Sequence, residues 1–145
     1  MPSIMTLSPA IPRPAVLAVV LRGDAALLVR RRNPPNAGAW GYPGGRIESG
    51  ETIAAAALRE LREETGVEAE FLRVLTALDS ISDERDSAAD GALWHYVLVA
   101  CLCRWRAGEP VAADDALEAG WFPLSALPAP LIERVRAVAR LAQEG

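Results

Sequence analysis

The sequence predicts a single α+β domain, in which strands are flanked by two helices. Three observations support this class: turn residues separate the apolar runs, two segments carry apolar residues at helical spacing, and strands and helices do not alternate as repeated βαβ units. Apolar residues make up 51% of the chain and charged residues 23%, which is typical of a folded domain. No repeat or linker divides the sequence, so we expect one domain over residues 1–145.

The first predicted element is a β-hairpin. Residues 1–13 contain several prolines and are expected to form a loose N-terminal arm. Two apolar runs within residues 15–30 lie on either side of Gly23 and Asp24, a dipeptide that favours a tight turn between antiparallel strands. The next segment, residues 33–45 (NPPNAGAWGYPGG), contains too many prolines and glycines for a helix, so an ordered loop is expected there.

After this loop the apolar residues recur at helical spacing, which predicts a helix over residues 52–65. Gly66 follows it, at the position where helices commonly end. Helical spacing places four apolar residues on one narrow stripe, namely Ala54, Ala57, Leu58 and Leu61.

The second half of the chain continues the sheet. Residues 67–78 and 93–105 are predicted to be longer strands, separated by an acidic loop that begins at Asp79 and that we interpret as a surface loop or a lid. A short strand is expected at residues 120–124. Apolar residues at helical spacing predict a second helix over residues 130–143.

Three carboxylates crowd the last two turns of the first predicted helix. Glu60, Glu63 and Glu64 lie about one turn apart and are expected to project from the face opposite the apolar stripe. Like-charge neighbours at these spacings cost about 0.2–0.5 kcal/mol each, and the helix dipole opposes negative charge there. A divalent cation bound by the three carboxylates would make these unfavourable charge interactions favourable. Alternatively, Arg59 and Arg62 balance the acids on a solvated helix face.

The segment from Gly45 to Val67 resembles the Nudix box. The preceding GAWGYPGG and the later DDALEAGWF are also similar to Nudix sequences of the small bacterial ADP-ribose pyrophosphatase type. The matching positions of the box are Gly45, Glu51, Arg59, Glu60, Leu61, Glu63, Glu64, Gly66 and Val67.

This resemblance implies a mixed sheet sandwiched between helices and hydrolysis of a nucleoside diphosphate linked to another moiety. It also implies that Glu60, Glu63 and Glu64 hold Mg²⁺, or Mn²⁺ in its place, together with the Gly45 carbonyl. The implied catalytic residues are Glu63, Arg59 and Glu60, with Glu63 as the candidate for activating water and Arg59 as its partner. Glu51 is expected to brace the loop, and Gly66 to end the helix.

Several residues outside the box are weaker candidates. Arg30, Arg31 and Arg32 leave the second strand together, and either they form a solvated strand end or one of them binds a substrate phosphate. Trp40 either stacks on a base or packs the loop. The resemblance also suggests a further acid from outside the box, and a solvated acidic turn would explain the same residues: Asp114, Asp115 and Glu118.

Charge and composition restrict the partners. The formal charge of −4 and the pI near 5.0 make duplex nucleic acid an unsuitable partner. Cys101 and Cys103 share one strand face and are expected to be reduced, and no run is long enough to span a bilayer. We therefore expect a cytoplasmic protein, and the resemblance adds a small nucleotide substrate as its partner. Homodimerisation is common among similar proteins and stays open for this chain.

Two rival functions fit the same pattern. The first is hydrolysis of oxidised or non-standard nucleoside triphosphates, which uses an identical box. The second is a non-catalytic Nudix domain that binds a nucleotide as a sensor. Retention of every box glutamate argues against the sensor, because a domain that does not catalyse hydrolysis has no need of them.

Overall fold

The computed structural model describes residues 11–82 and 94–144. Within them lie seven strands and two helices. The helices are α1 (Ile53–Thr65) and α2 (Arg134–Glu144). The strands are β1 (Arg13–Arg22), β2 (Ala25–Arg31), β3 (Trp40–Gly41), β4 (Gly44–Arg46), β5 (Glu68–Ser82), β6 (Trp94–Ala107) and β7 (Ala116–Pro123).

The strands form one mixed sheet. Their order is β3-β2-β1-β6-β5, with β4 paired to β1 and β7 paired to β2. The pairing of β1 with β6 is parallel, whereas β1–β2, β1–β4, β2–β7 and β5–β6 are antiparallel. This mixture agrees with the expected α+β class and places β1 at the centre of the sheet.

The central strand β1 is buried on both faces. Its side chains alternate, so Leu17 and Val19 join a core with Val138 of α2, whereas Val16 and Val20 join a core with Leu61 of α1. An apolar run without polar alternation is the pattern expected of a strand covered on both sides. The sheet is therefore sandwiched between α1 and α2, as predicted.

The predicted hairpin and both helices are present, but several boundaries differ. The hairpin turns at Gly23, which has a φ of 64°. Arg13, assigned to the loose arm, is already the first residue of β1. The second helix begins at Arg134, four residues later than residue 130, and β7 begins at Ala116 rather than at residue 120.

Two further differences concern segments predicted as loops. The segment 33–45 contains β3 and the first residues of β4, which are too short to give a periodic sequence signal. Asp79–Ser82, assigned to the acidic loop, continues β5. The remainder of that loop, with the lid hypothesis, and most of the N-terminal arm lie outside the described residues. Neither α1 nor α2 has the length and apolar character needed to cross a membrane.

Candidate active site

Helix α1 is defined at both ends by its capping residues. The Thr52 hydroxyl accepts a hydrogen bond from the Ala55 N–H at 3.0 Å, which satisfies one of the free donors of the first turn. At the other end Gly66 adopts a φ of 74°, and its N–H donates to the Arg62 carbonyl. These caps fix where the acidic last two turns lie relative to β4.

Arg59 connects the loop before α1 to the carboxylates on α1. Its Nε and Nη2 donate to the two carboxylate oxygens of Glu51 at 2.6 and 2.9 Å. Its Nη1 donates to Glu60 at 3.0 Å and to Glu63 at 3.1 Å. The bidentate contact with Arg59 lowers the pKa of Glu51 to about 2. Arg59 thus holds Glu51 most tightly, and Glu60 and Glu63 are its further carboxylate partners.

The Glu60 carboxylate lies directly against the backbone of β4. A Cβ at Gly45 would overlap this carboxylate, so a residue with a side chain would displace it. Gly45 is itself paired with Val16 of β1. The close approach of Glu60 to Gly45 therefore depends on glycine at this position.

Glu64 does not lie opposite the apolar stripe, and that part of the prediction is wrong. Only 6% of Glu64 is exposed, and it lies among the buried residues of α1 with Ala57 and Leu61. Positions 57, 61 and 64 are spaced by four and three residues, so they share one helix face. The helical spacing of the acids was correct, but the orientation of Glu64 relative to the core was not.

The three carboxylates consequently have different environments. Burial, followed by a hydrogen bond to Glu60 and the charge of Glu60, raises the pKa of Glu64 well above its ordinary value. The side chain of Glu60 is 13% exposed, whereas that of Glu63 is 47% exposed. Glu64 is buried with the largely covered Glu60 beside it, and Glu63 lies at the solvent edge of this pair.

These carboxylates line a cavity of about 660 Å³. This volume lies in the range of cavities that enclose small-molecule ligands. Besides Arg59, four arginines from three separate segments line the same cavity, and none of these four forms an ion pair with a carboxylate among the described residues. They are Arg13, Arg31, Arg32 and Arg46.

The donor set fits a divalent cation, although no ready-made cage is present. Among residues 11–82 and 94–144, no three acidic, histidine or cysteine side chains converge closely enough to hold an ion. Arg59 occupies oxygens of Glu60 and Glu63, while Glu60 and Glu64 share a hydrogen bond. Hard oxygen donors of this kind suit Mg²⁺ or Mn²⁺.

The weaker candidates divide into two groups. Asp114, Asp115 and Arg32 line the cavity with the three carboxylates of α1. Arg30 instead donates to Glu118 at 3.0 Å, and neither of these two residues lines the cavity. Trp40 is only 8% exposed and contacts the Phe122 ring edge-on, with centroids 4.8 Å apart, so it packs in the core.

Sequence reasoning missed several residues of the cavity wall. Arg13 and Arg46 were not singled out, and Tyr96 of β6 was read only as part of an apolar strand. These residues meet because β1 pairs with both β4 and β6. No local pattern indicates such pairings, so only the sheet order could have revealed these residues.

Comparison with known proteins places the chain in a family. The model of the NUDIX domain matches residues 11–141. An ADP-ribose pyrophosphatase of Methanocaldococcus jannaschii is 34% identical over 117 residues, which cover 81% of this chain and 65% of that protein. An 8-oxo-dGDP phosphatase of Mus musculus is 36% identical over 121 residues, which cover 80% of this chain and 34% of that protein.

Solved structures agree in fold. A MutT NUDIX hydrolase from Burkholderia pseudomallei has a TM-score of 0.77 at 33% identity, covering 91% of this chain and 98% of that one. An ADP-ribose pyrophosphatase from Streptococcus suis has a TM-score of 0.68 at 26% identity, covering 93% and 94%. This chain belongs to the Nudix family. It spans less than two thirds of the length of the two curated relatives named above.

Proposed function

We propose that this protein hydrolyses the pyrophosphate bond of a nucleoside diphosphate linked to another moiety, with ADP-ribose or a similar nucleotide sugar as the favoured substrate. One observation carries the proposal: a single cavity combines clustered carboxylates on α1 with arginines that have no carboxylate partner in the described part of the chain. Carboxylates suit divalent cations, and unpaired arginines suit phosphate oxygens. A pyrophosphate bound with metal ions supplies both partners.

The proposed metal site consists of Glu60, Glu63, Glu64 and the Gly45 carbonyl, with Mg²⁺ as the ion and Mn²⁺ as a substitute. When bound, the metal screens phosphate charge, acidifies a water molecule and stabilises the leaving phosphate. Glu63 has to turn away from Arg59 to take part, and its exposed position leaves room for that. Asp114 and Asp115, which line the same cavity, are the proposed additional acids.

The chain's own residues then have distinct proposed roles. Arg59, fixed by Glu51, orients Glu60 and Glu63. Glu63 is the proposed general base and accepts a proton from the attacking water. The water oxygen forms a bond to one phosphorus while the bridging P–O bond breaks, giving a nucleoside monophosphate and a second phosphorylated product. The unpaired arginines bind the non-bridging oxygens throughout.

A second candidate substrate class is oxidised nucleotides. The observation that favours it is the 36% identity to the murine protein named as an 8-oxo-dGDP phosphatase. The ADP-ribose pyrophosphatase of M. jannaschii aligns over a larger share of its own length, 65% against 34%, and we therefore rank ADP-ribose first.

A substrate panel with product analysis tests the proposal. We expect Mg²⁺-dependent conversion of ADP-ribose to AMP and ribose phosphate, with slower turnover of 8-oxo-dGDP and of 8-oxo-dGTP. Faster turnover of either oxidised nucleotide would move the assignment to the second class. Binding of these nucleotides without metal-dependent hydrolysis of any of them would contradict an enzymatic function and indicate a sensor domain.

A further inference from the structure

A second, smaller cavity adjoins the one lined by the α1 carboxylates. The two cavities share Arg31, Gly44, Gly45, Arg46 and Tyr96, and the smaller one extends towards α2. Its walls are otherwise largely apolar, with contributions from Tyr42, Leu98, Ile132 and Val135. Its volume is about 80 Å³, too small for a nucleoside and suited to one compact group.

Three arginines line this smaller cavity, namely Arg31, Arg46 and Arg134, and the charge of Arg31 acts on Arg134. Arg134, the first residue of α2, is half-buried, and burial together with the charge of Arg31 lowers its pKa. Arg31 is anchored by the loop that follows β2, because its Nε donates a hydrogen bond to the Pro35 carbonyl at 2.8 Å. Neither the Arg31 nor the Arg134 guanidinium forms an ion pair with a carboxylate of residues 11–82 or 94–144.

This arrangement is unfavourable for the protein alone. Two like charges near a partly apolar cavity repel each other and lose hydration. An anion between them would reverse the sign of the interaction, because each guanidinium has several N–H donors that suit a phosphoryl group. The same logic applies to the clustered carboxylates of α1, with the opposite charge.

We propose that Arg31 and Arg134 form a second anion site, which binds the substrate phosphoryl group that lies farther from the α1 carboxylates. Arg31 faces both cavities and so joins this site to the carboxylate cavity. The inference rests on the proposed function, because it assigns the site to the same substrate. The phosphoryl group is either the second one of a diphosphate or the terminal one of a triphosphate.

Direct binding tests the site without turnover. Calorimetry with inorganic pyrophosphate, in a chelator that removes divalent cations, compares the full wild-type chain with Arg134→Gln and Arg134→Lys. Arg136→Gln, on an exposed position of α2, is the matched control. We expect Arg134→Gln to weaken binding by about 10- to 100-fold, Arg134→Lys to restore part of the affinity, and Arg136→Gln to bind like the wild type.

Stability separates binding from a structural role. If Arg134 only packs through its aliphatic part, Arg134→Gln lowers the thermal midpoint and leaves pyrophosphate affinity unchanged. Our proposal predicts that Arg134→Gln weakens pyrophosphate binding. It also predicts a higher thermal midpoint, because the substitution removes a like-charge repulsion. Unchanged affinity in Arg134→Gln, equal loss in the Arg136→Gln control, or no binding by the wild type would each overturn the site.

Kinetics identify the phosphoryl group. In Arg134→Gln we expect KM to rise while kcat changes little. A similar rise for ADP-ribose and for a nucleoside triphosphate indicates the second phosphoryl of a diphosphate, and a rise confined to the triphosphate indicates the terminal one. If Arg134→Gln is active and its KM is unchanged for both ADP-ribose and the triphosphate, the arginine site is overturned and the proposed function stands. Absence of all hydrolysis overturns the proposed function, yet the pyrophosphate measurement still decides the site.

Discussion

Arg59 shows how one side chain can satisfy several partners at once. The sequence suggested Glu63 as its partner, and the structure adds a shorter bidentate contact to Glu51, eight positions before Arg59. Helical spacing identifies neighbours three and four positions apart, but a partner in a preceding loop depends on how that loop folds back. The contact with Glu51 therefore follows from the path of residues 47–52, which no periodic signal describes.

Glu64 illustrates a conflict between stability and function at a single residue. Its carboxyl group is buried beside Glu60, which is costly without a cation. Its position at the end of the Ala57–Leu61 stripe was available from the sequence, because the spacing of four and three residues is visible there. The presence of an acid on a core-facing stripe is a stronger signal than acid clustering alone.

We predict that Glu64→Gln stabilises the metal-free protein and abolishes catalysis. Replacing the carboxyl group removes the energetic penalty of a buried acid next to Glu60, so the free energy of unfolding in chelator should rise by about 1–3 kcal/mol at pH 7. Urea unfolding and circular dichroism measure this change. Mg²⁺-dependent turnover should fall to background.

Glu68→Gln is the matched control for this prediction, since Glu68 is exposed and pairs with Arg62 outside the cavity. Glu68→Gln should change neither the free energy of unfolding nor the turnover noticeably. Unaltered turnover in Glu64→Gln would contradict the proposed metal site. A loss of metal-free stability would contradict the buried-acid interpretation.

The sequence predicted helix α1 more accurately than the short strands β3 and β4. Thr52 and Gly66 are standard capping residues, and the apolar period between them is clear. By contrast β3 and β4 have two and three residues, and they lie in a segment rich in proline and glycine. Such strands exist because of their partners β1 and β2, and their own sequence does not specify them.

The contact between β4 and α1 gives a prediction about Gly45. Gly45→Ala places a methyl group where the Glu60 carboxylate lies, so Glu60 has to move away from the backbone. We expect turnover to fall by at least about 10-fold, while Mg²⁺ affinity measured by calorimetry weakens in parallel.

Gly120→Ala is the control, because a Cβ there meets only the Phe122 ring at 3.5 Å or more, which is ordinary contact. Gly120 lies in β7, away from the carboxylates of α1. Equal activity of Gly45→Ala and wild type would show that Glu60 does not depend on its position against β4.

At the scale of the whole molecule, composition and period predicted the α+β class and the sandwich of helices around the sheet. They did not predict the strand order, because pairing partners such as β1 and β6 are far apart in sequence. The cavity is assembled by these long-range pairings. For this reason the box glutamates could be named from the sequence, whereas Arg13 and Arg46 could not.

The dependence of stability on pH should reflect two groups of opposite sign. The pKa of Glu51 is lowered from 4.5 to about 2, so its contribution is present above pH 4.5 and is lost as the pH falls towards 2. The pKa of Glu64 is raised, so the metal-free fold loses stability as the pH rises above 4.5, where only the unfolded chain ionises this group.

Glu51→Gln tests the first of these effects. The difference in unfolding free energy between wild type and Glu51→Gln should be largest at neutral pH and should vanish between about pH 4.5 and 2, as measured by urea unfolding at several pH values. Glu48→Gln is the control, because Glu48 is exposed and lies 3.9 Å from Arg59. A difference that does not depend on pH would exclude the ion pair as its cause.

The central position of β1 also affects how the chain is made on the ribosome. Arg13 pairs with Tyr96 and Leu21 with Arg104, so β1 is made long before its parallel neighbour β6. The strands β2 and β4 and helix α1 follow β1 closely in the chain and can cover part of it early. The nascent chain cannot complete its sheet until β6 has left the exit tunnel, so the edge of β1 that pairs with β6 stays open until then. This edge is therefore the part of the sheet that a chaperone would have to protect longest.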